Sequence, residues 1–180
     1  SDNLPRRWIT MMKQCMKDVN PVFNTNRMVA EYADRFYVPA DRRYRALSAN
    51  DRQRARELAG WLDNVRSNWN NIRIENVDAN GSGAQRVGEI LEVKVQVHLA
   101  NLKASDVLVQ AFYGKLVSDG DLSQGDIVDL QLVKQHGSTA EFSGGIALGS
   151  SGKMGLAIRV MPSHPDLVHP LLTGHILWAK

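Results

Sequence analysis

The stretch Leu91-Glu92-Val93-Lys94-Val95-Gln96-Val97-His98-Leu99 decides the fold class of this chain. Its apolar side chains occupy every second position, and the positions between them are polar or charged. A period of two is typical of a β-strand that buries one face and exposes the other. Such a strand needs partners to cover its apolar face, which predicts a β-domain around it.

Six further stretches have strand character, and turn-forming residues separate them. We predict these strands at residues 72–77, 107–113, 127–133, 140–148, 154–161 and 175–179. The turn signals lie at residues 81–83, 118–121, 137–138 and 149–152. About seven short strands without helices between them favour an antiparallel β-sandwich, and we expect an immunoglobulin-like arrangement.

The first 70 residues differ in composition from the rest of the chain. Residues 1–70 carry 13 Lys and Arg against 8 Asp and Glu, whereas residues 71–180 carry 9 against 11. The second part also holds 13 of the 14 glycines. Because glycine weakens helices and serves turns, we predict an α+β chain with a helical segment at 1–70 and a β-sandwich domain at 71–180.

Three helices are predicted in the first segment. The first ends before Pro21, the second begins after Asn24 and ends at Pro39, and the third begins near Ser48. Seventy residues make only a marginal core by themselves, so the apolar stripes are expected to be buried on the β-domain or on a neighbour. The stripes are Trp8, Ile9, Met12, Cys15, Met16 and Val19; Met28, Val29, Tyr32 and Phe36; and Ala55, Leu58, Leu62, Val65 and Trp69.

Charge and cysteine content argue against several classes of protein. The net charge of +3 is too small to indicate a nucleic-acid binder, and no apolar run approaches the ~20 residues of a membrane span. The single Cys15 excludes an intrachain disulfide and fits a reducing compartment, so we expect a cytoplasmic protein. The chain begins without Met and enters a helix almost at once, as expected of a piece of something longer.

Two glycine-rich stretches resemble phosphate-binding loops without matching them. Residues 147–154 lack the first Gly and the final Ser or Thr of the pattern, and strands flank them. Residues 81–86 lack the third glycine of a dinucleotide-binding fingerprint. We predict a hairpin turn at the first stretch and a turn at the second.

A possible metal site lies near the end of the chain. Two imidazoles and a carboxylate can hold zinc with one position open. Prolines at positions 162, 165 and 170 interrupt this run, so we predict an irregular loop with exposed or hydrogen-bonded imidazoles, and no metal site. The residues concerned are His164, Asp166, His169 and His175.

Other polar and aromatic groups favour structural roles. The chain shows no Ser-His-Asp triad, and Cys15 suits packing better than nucleophilic attack, so no catalytic residue is predicted. A basic cluster favours a solvated helix face or a docking surface over nucleic-acid binding; it comprises Arg42, Arg43, Arg45, Arg52, Arg54 and Arg56. Five aromatic residues offer a weak case for a sugar-binding platform: Trp61, Trp69, Tyr113, Phe142 and Trp178.

Two stretches carry a family resemblance. The first, residues 8–40, contains Trp8-Ile9-Thr10 and then Phe23-Asn24-Thr25-Asn26-Arg27-Met28-Val29-Ala30-Glu31-Tyr32. It resembles the end of the catalytic region of bacterial α-glucan phosphorylases, in which a Trp-containing helix precedes such a segment. The second, residues 106–114 together with 151–167, resembles the β extension that closes the longer members of that family.

The resemblance implies a parent enzyme that moves glucosyl units from an α-1,4-glucan to phosphate and uses pyridoxal phosphate on a lysine. The family's cofactor-lysine segment ends in Asn-Met-Lys and is absent here, since neither Lys13 nor Lys153 follows Asn-Met. No catalytic or cofactor-binding residue therefore carries over.

The chain is expected to be a non-catalytic part with a structural or assembly role, whose partner is the catalytic part of its parent chain. The alternatives are a glucan-binding module and a protein–protein interaction module, which includes a homo-oligomer. Neither nucleic acid nor a membrane is expected as a partner.

Overall fold

The computed structural model describes residues 4–79, 85–116 and 122–179 of the 180-residue chain. The predicted turns at 81–83 and 118–121 lie outside these residues, as does most of the glycine-rich stretch 81–86. The chain divides into two compact units, Ser1–Glu57 and Leu58–Lys180. The predicted division after residue 70 stays a prediction.

The first unit is helical. Helix α1 spans Arg6–Val19, and helix α2 spans Thr25–Tyr32. One turn of π-helix, Ala33–Tyr37, joins α2 to helix α3, which spans Val38–Asn68 and continues into the second unit. The described residues thus contain two helical runs before the strands, fewer than the three helices predicted, and the second run is kinked. None of these helices combines the length and the apolar character needed to cross a membrane.

Pro39 does not end a helix, contrary to the prediction. It is the second residue of α3, directly after a π-turn in which the Val38 N–H donates to the Ala33 carbonyl. The first turn of an α-helix tolerates proline, because an N–H there has no intrahelical acceptor. The wider π-turn ahead of Pro39 therefore lets the helical run continue past it.

A kink lies inside α3, where the third helix is predicted to begin. Ala49 is extended with ψ 160°, and the next three residues have φ of 49°, 53° and 58°. These residues, Asn50, Asp51 and Arg52, are therefore in the left-handed region. That conformation costs an L-residue ~1–2 kcal/mol, and Asn and Asp tolerate it better than Arg does.

The apolar stripe of α1 is exposed within the described part of this chain, so its burial on a neighbour stays a prediction. Trp8 is 57% exposed and Met16 is 56% exposed, and the Cys15 thiol is exposed as well. No described residue of α1 or α2 is buried. Two short helices cannot enclose a core between themselves, because nearly every residue remains at the surface.

Seven antiparallel strands form most of the second unit in the described part of the chain. They are hydrogen-bonded in the order β1-β2-β5-β4-β3-β6-β7. Their bounds are β1 Arg73–Ala79, β2 Ile90–His98, β3 Val107–Leu116, β4 Leu122–His136, β5 Thr139–Ala147, β6 Met154–Pro162 and β7 Leu177–Trp178.

Strand β4 joins the two halves of the sheet. Its first part, up to Leu130, pairs with β3, and its second part, from Gln131, pairs with β5. All seven strands therefore belong to one continuous antiparallel sheet that approaches a barrel. The strand count is confirmed, whereas an immunoglobulin-like arrangement stays a prediction.

The alternation that predicted β2 is confirmed by its burial. Val93, Val95 and Val97 are completely buried, whereas Glu92 and Lys94 are exposed. Side chains from both halves of the sheet join these valines in one core. The principal members are Val107, Val109, Ala111, Leu130, Phe142, Ile146, Ile158 and Val160.

The last turns of α3 cover one side of this core. Val65 is completely buried and Trp69 is 8% exposed, and both belong to the same apolar cluster as the strand residues. The Trp61 indole Nε1 donates to Asp106 Oδ1 at 3.0 Å. The other carboxylate oxygen, Oδ2, accepts the Lys103 N–H at 2.8 Å. Asp106 therefore ties the helix to the segment that leads into β3.

We expect Trp61→Phe to lower the free energy of unfolding by about 1.5 kcal/mol, because it removes a hydrogen bond to a partly buried carboxylate. Asp63→Ala is the matched control on the same helix. Among the described residues, the Asp63 side chain makes one exposed pair, with Arg66 at 3.5 Å, so its loss should cost less than ~0.5 kcal/mol. Urea unfolding followed by circular dichroism measures both, and equal effects would contradict the assigned role of Trp61.

Arg52→Gly and Ala55→Gly should have effects of opposite sign. Glycine at position 52 relieves a left-handed conformation and should stabilise the helical unit by about 1 kcal/mol. Glycine at the helical position 55 should destabilise it by about 1 kcal/mol. Thermal melting of the helical circular dichroism signal tests both, and two shifts of the same sign would argue against the kink.

Candidate functional site

The residues weighed as metal ligands, and predicted instead to lie in an irregular loop, follow one another along one loop, where the structure gives each imidazole its own structural partner. His164 Nδ1 accepts the Asp166 N–H at 3.1 Å, and its ring lies 4.8 Å from the Trp61 ring. The Asp166 carboxylate lies 3.9 Å from the same nitrogen. At 3.9 Å the two atoms are too far apart for a hydrogen bond.

The other two imidazoles are equally engaged. His169 Nδ1 accepts the Leu171 N–H at 3.2 Å and so caps the 3₁₀ turn Pro170–Thr173. The His175 ring stacks on Trp69 with a centroid distance of 5.5 Å. Across residues 4–79, 85–116 and 122–179, no three His, Cys, Asp or Glu side chains converge as metal ligands do.

The arginine cluster lies on α3, and two of its arginines form ion pairs with carboxylates of the same helix. Arg45 pairs with Asp41 at 2.9 Å, and Arg56 pairs with Asp51 at 2.9 Å. These pairs are exposed, so each contributes little to stability. Their carboxylates also neutralise part of the positive field, which is the pattern of a solvated helix face.

The glycine-rich connection at 148–153 is not the hairpin turn predicted from the sequence. Strands β5 and β6 are not neighbours, because β4 and β3 lie between them. The connection therefore crosses from one half of the sheet to the other. Gly152 has φ +119°, and the Lys153 carbonyl accepts the Leu116 N–H at 3.0 Å. No helix begins there, so the geometry lacks the helix N-terminus that cradles a phosphate.

A cavity of about 470 Å³ opens beside this connection. Apolar side chains and the polar groups of Gln85, Tyr113, Ser150, Ser151 and Lys153 line it together. Ser150 Oγ lies 4.0 Å from Met154 Sδ, and no base among the described residues is hydrogen-bonded to it, so these residues do not activate it for nucleophilic attack. The lining includes Leu91, Tyr113, Ile146, Leu148, Leu156, Ser150, Ser151 and Lys153.

Neither lysine singled out by the sequence fits a cofactor site. Lys13 is exposed on α1, and Lys153 is exposed in the β5–β6 connection. A lysine that forms a Schiff base is often activated by desolvation, and these two exposed side chains are not desolvated.

The five aromatic residues predicted as a possible platform do not form one. Phe142 and Trp69 are buried in the core, and Trp61 and Tyr113 are half-buried in different places. Trp178, by contrast, is 42% exposed on the outer face of the sheet. Its neighbours Leu177 and Ala179 pack against the core, which leaves Trp178 pointing outward.

A row of polar side chains leads from β4 to Trp178. Gln110 Nε2 donates to Asp129 Oδ1 at 2.6 Å, and Arg159 Nε donates to Gln110 Oε1 at 2.8 Å. The Arg159 guanidinium carbon lies 5.8 Å from the centre of the Trp178 ring. Strand register places these four residues side by side on β4, β3, β6 and β7. We call them the outer row.

Sequence reasoning missed the outer row. Its four members lie between Gln110 and Trp178, which are 68 positions apart, and only the strand order brings them together. The period of two predicts which positions point outward, but it does not predict which strands are neighbours.

On the other half of the sheet, a hydrogen bond from Lys134 to Glu141, at 3.2 Å, holds the pKa of that carboxyl below its usual value.

Comparison with known proteins identifies the family. Residues 69–180 match the family described as the glycogen phosphorylase C-terminal domain. The chain is 31% identical over 170 residues to glycogen phosphorylases from Mycobacterium bovis and Mycobacterium tuberculosis. It is 32% identical over 180 residues to maltodextrin phosphorylase from Thermococcus litoralis.

These alignments cover most of the chain but little of the relatives. They include 91% to 96% of this chain and 19% to 20% of the relatives' length. The chain therefore spans about a fifth of the length of the curated relatives it matches. Because the family match extends over the β-domain and more than half of the chain, this chain belongs to the glycogen phosphorylase C-terminal domain family.

Proposed function

We propose that this chain is the non-catalytic C-terminal part of an α-glucan phosphorylase. Such an enzyme transfers glucosyl units from an α-1,4-glucan to phosphate and releases glucose 1-phosphate. The names of the relatives, glycogen phosphorylase and maltodextrin phosphorylase, support the substrate class. The pyridoxal phosphate of the parent would be held by residues outside this chain. A lone exposed thiol suits a cytoplasmic enzyme.

The observation that carries this proposal is the exposed apolar surface of the helical unit. Large apolar side chains of α1, α2 and the π-turn are about half exposed or more; they include Trp8, Met11, Met16, Met28, Val29 and Phe36. Soluble proteins rarely leave a large contiguous apolar surface uncovered. Full burial of such a side chain contributes roughly 1.5–3 kcal/mol. We propose that the catalytic part of the parent chain covers this surface.

The β-domain has a different role in this proposal. Its strands and the end of α3 enclose their own core, so it can persist as a unit while the helices pack elsewhere. We propose that residues 1–70 supply closing helices and a linker helix, and that residues 71–180 form an immunoglobulin-like domain. That domain would stabilise the enzyme or support its assembly, including assembly with a second copy.

The chain by itself should release no glucose 1-phosphate from glycogen and phosphate, because the cofactor-lysine segment that the family resemblance implies is absent from its sequence. A coupled assay for glucose 1-phosphate tests this, with the parent enzyme as the positive control. We also expect no absorbance from a pyridoxal Schiff base in the purified chain. Release of glucose 1-phosphate by the chain alone would contradict the proposal.

In the parent enzyme, Met12→Asp should lower the midpoint of thermal inactivation by several degrees, because it places a carboxylate in an interface that excludes water. Thr10→Asp is the matched control. The two positions lie about 160° apart around the helix, so the control carboxylate faces solvent.

Equal midpoints for the two variants would show that the catalytic part does not cover the stripe. Sedimentation velocity distinguishes the remaining possibility. If Met12→Asp dissociates an oligomer into active subunits of unchanged thermal midpoint, the stripe faces a second copy instead.

A further inference from the structure

We propose that the outer row, Asp129, Gln110, Arg159 and Trp178, is a binding site for an α-glucan chain. The choice of this polymer rests on the proposed function, whereas the class of ligand, a neutral sugar chain, follows from the side chains themselves. No catalytic role is involved.

The outer row is held in a fixed arrangement before any ligand arrives. Gln110 lies between Asp129 and Arg159 and is hydrogen-bonded to both, which fixes the plane of its amide. The same bond engages Arg159 Nε and thereby orients the guanidinium beside the Trp178 ring. Groups that are already ordered lose less conformational entropy when a ligand binds.

The row retains donors and acceptors for a ligand. Within the described part of the chain, Gln110 is the one hydrogen-bond partner of the Arg159 side chain, and it engages Nε alone. Both terminal guanidinium nitrogens can therefore donate to a ligand. Asp129 Oδ1 accepts from Gln110, which leaves Oδ2 as an acceptor. A sugar hydroxyl both donates and accepts, so it matches a surface that offers both functions.

Trp178 supplies the apolar component of the site. Its indole is 42% exposed and stands on β7, the edge strand of the sheet. The next outward positions on β3 and β4 are also apolar, because Phe112 faces Ile127 across the strands and Ile127 is 48% exposed. The C–H face of a pyranose ring packs on such surfaces, while its hydroxyl groups reach the polar row.

The charge of the row favours a neutral ligand over an anion. Arg159 carries one positive charge and Asp129 one negative charge on the same short row, so the net charge is zero. A phosphate or nucleic-acid backbone would gain from Arg159 but would be repelled by Asp129. A neutral polyol can use both groups as hydrogen-bond partners without that repulsion.

The dimensions of the row suit a chain rather than a single sugar. Four neighbouring strands at a spacing of ~4.8 Å span roughly 14 Å. The row is open at the β7 edge of the sheet, so a polymer can continue beyond Trp178. If the outer row only stabilised the sheet through cross-strand pairs, substitutions in it would change the free energy of unfolding, and the chain would not bind glucan.

Electrophoresis of the full chain through native gels that contain glycogen tests the proposal. We expect the chain to be retarded relative to a gel without polymer, and Trp178→Ala to weaken the binding about tenfold. Trp8→Ala is the matched control, because Trp8 is another exposed tryptophan, 57% exposed on α1. Circular dichroism of each variant shows whether it remains folded, so that lost binding is not confused with unfolding.

Arg159→Lys supplies a second variant that keeps the charge and removes the guanidinium fork. We expect weaker retardation by glycogen with an unchanged melting temperature. An unretarded wild-type chain, or equal losses in Trp178→Ala and Trp8→Ala, would overturn the site. Retardation by heparin but not by glycogen would overturn it in favour of an anion site. None of these results bears on phosphorolysis by the parent enzyme, which tests the proposed function separately.

Discussion

The β-domain depends on one constraint, which is that every strand must bury one of its two faces. Val93, Val95 and Val97 meet this constraint only because strands of the opposite half and the end of α3 cover them. Strand β4 makes the arrangement possible, since it changes partners from β3 to β5 along its length. The hydrogen bonds from Trp61 and Lys103 to Asp106 then fix the helix where it covers the core.

The helical unit also has apolar faces, but no residues within the described part of this chain cover them. Its apolar residues recur at helical spacing, as those of a packed helix do, yet Trp8 and Met16 remain more than half exposed. The contrast with Val65, which is completely buried later in α3, shows that periodicity defines a face but not its partner. The exposed face and the family membership together motivate the proposal of a larger parent enzyme.

Much of the β-domain could be predicted because its signals are local. The alternation in β2 and the turn at Gly137-Ser138 depend on residues close in sequence, and the structure confirms both. The hairpin predicted at 149–152 was wrong because strand order is a long-range property. His164 and His169 were expected in a loop and lie in one, but the rings of Trp61 and Trp69 beside His164 and His175 come from a segment that is distant in sequence.

The sequence by itself determined the change from helices to strands, the buried face of β2, the absence of an intrachain disulfide and the family resemblance. Each of these depends on residue type and short-range spacing. Only the tertiary structure decided that β4 joins both halves of the sheet and that Arg159 meets Gln110 and Trp178. The physical reason is that strand neighbours are selected by the packing of the whole core, so side chains far apart in sequence become adjacent only when that core forms.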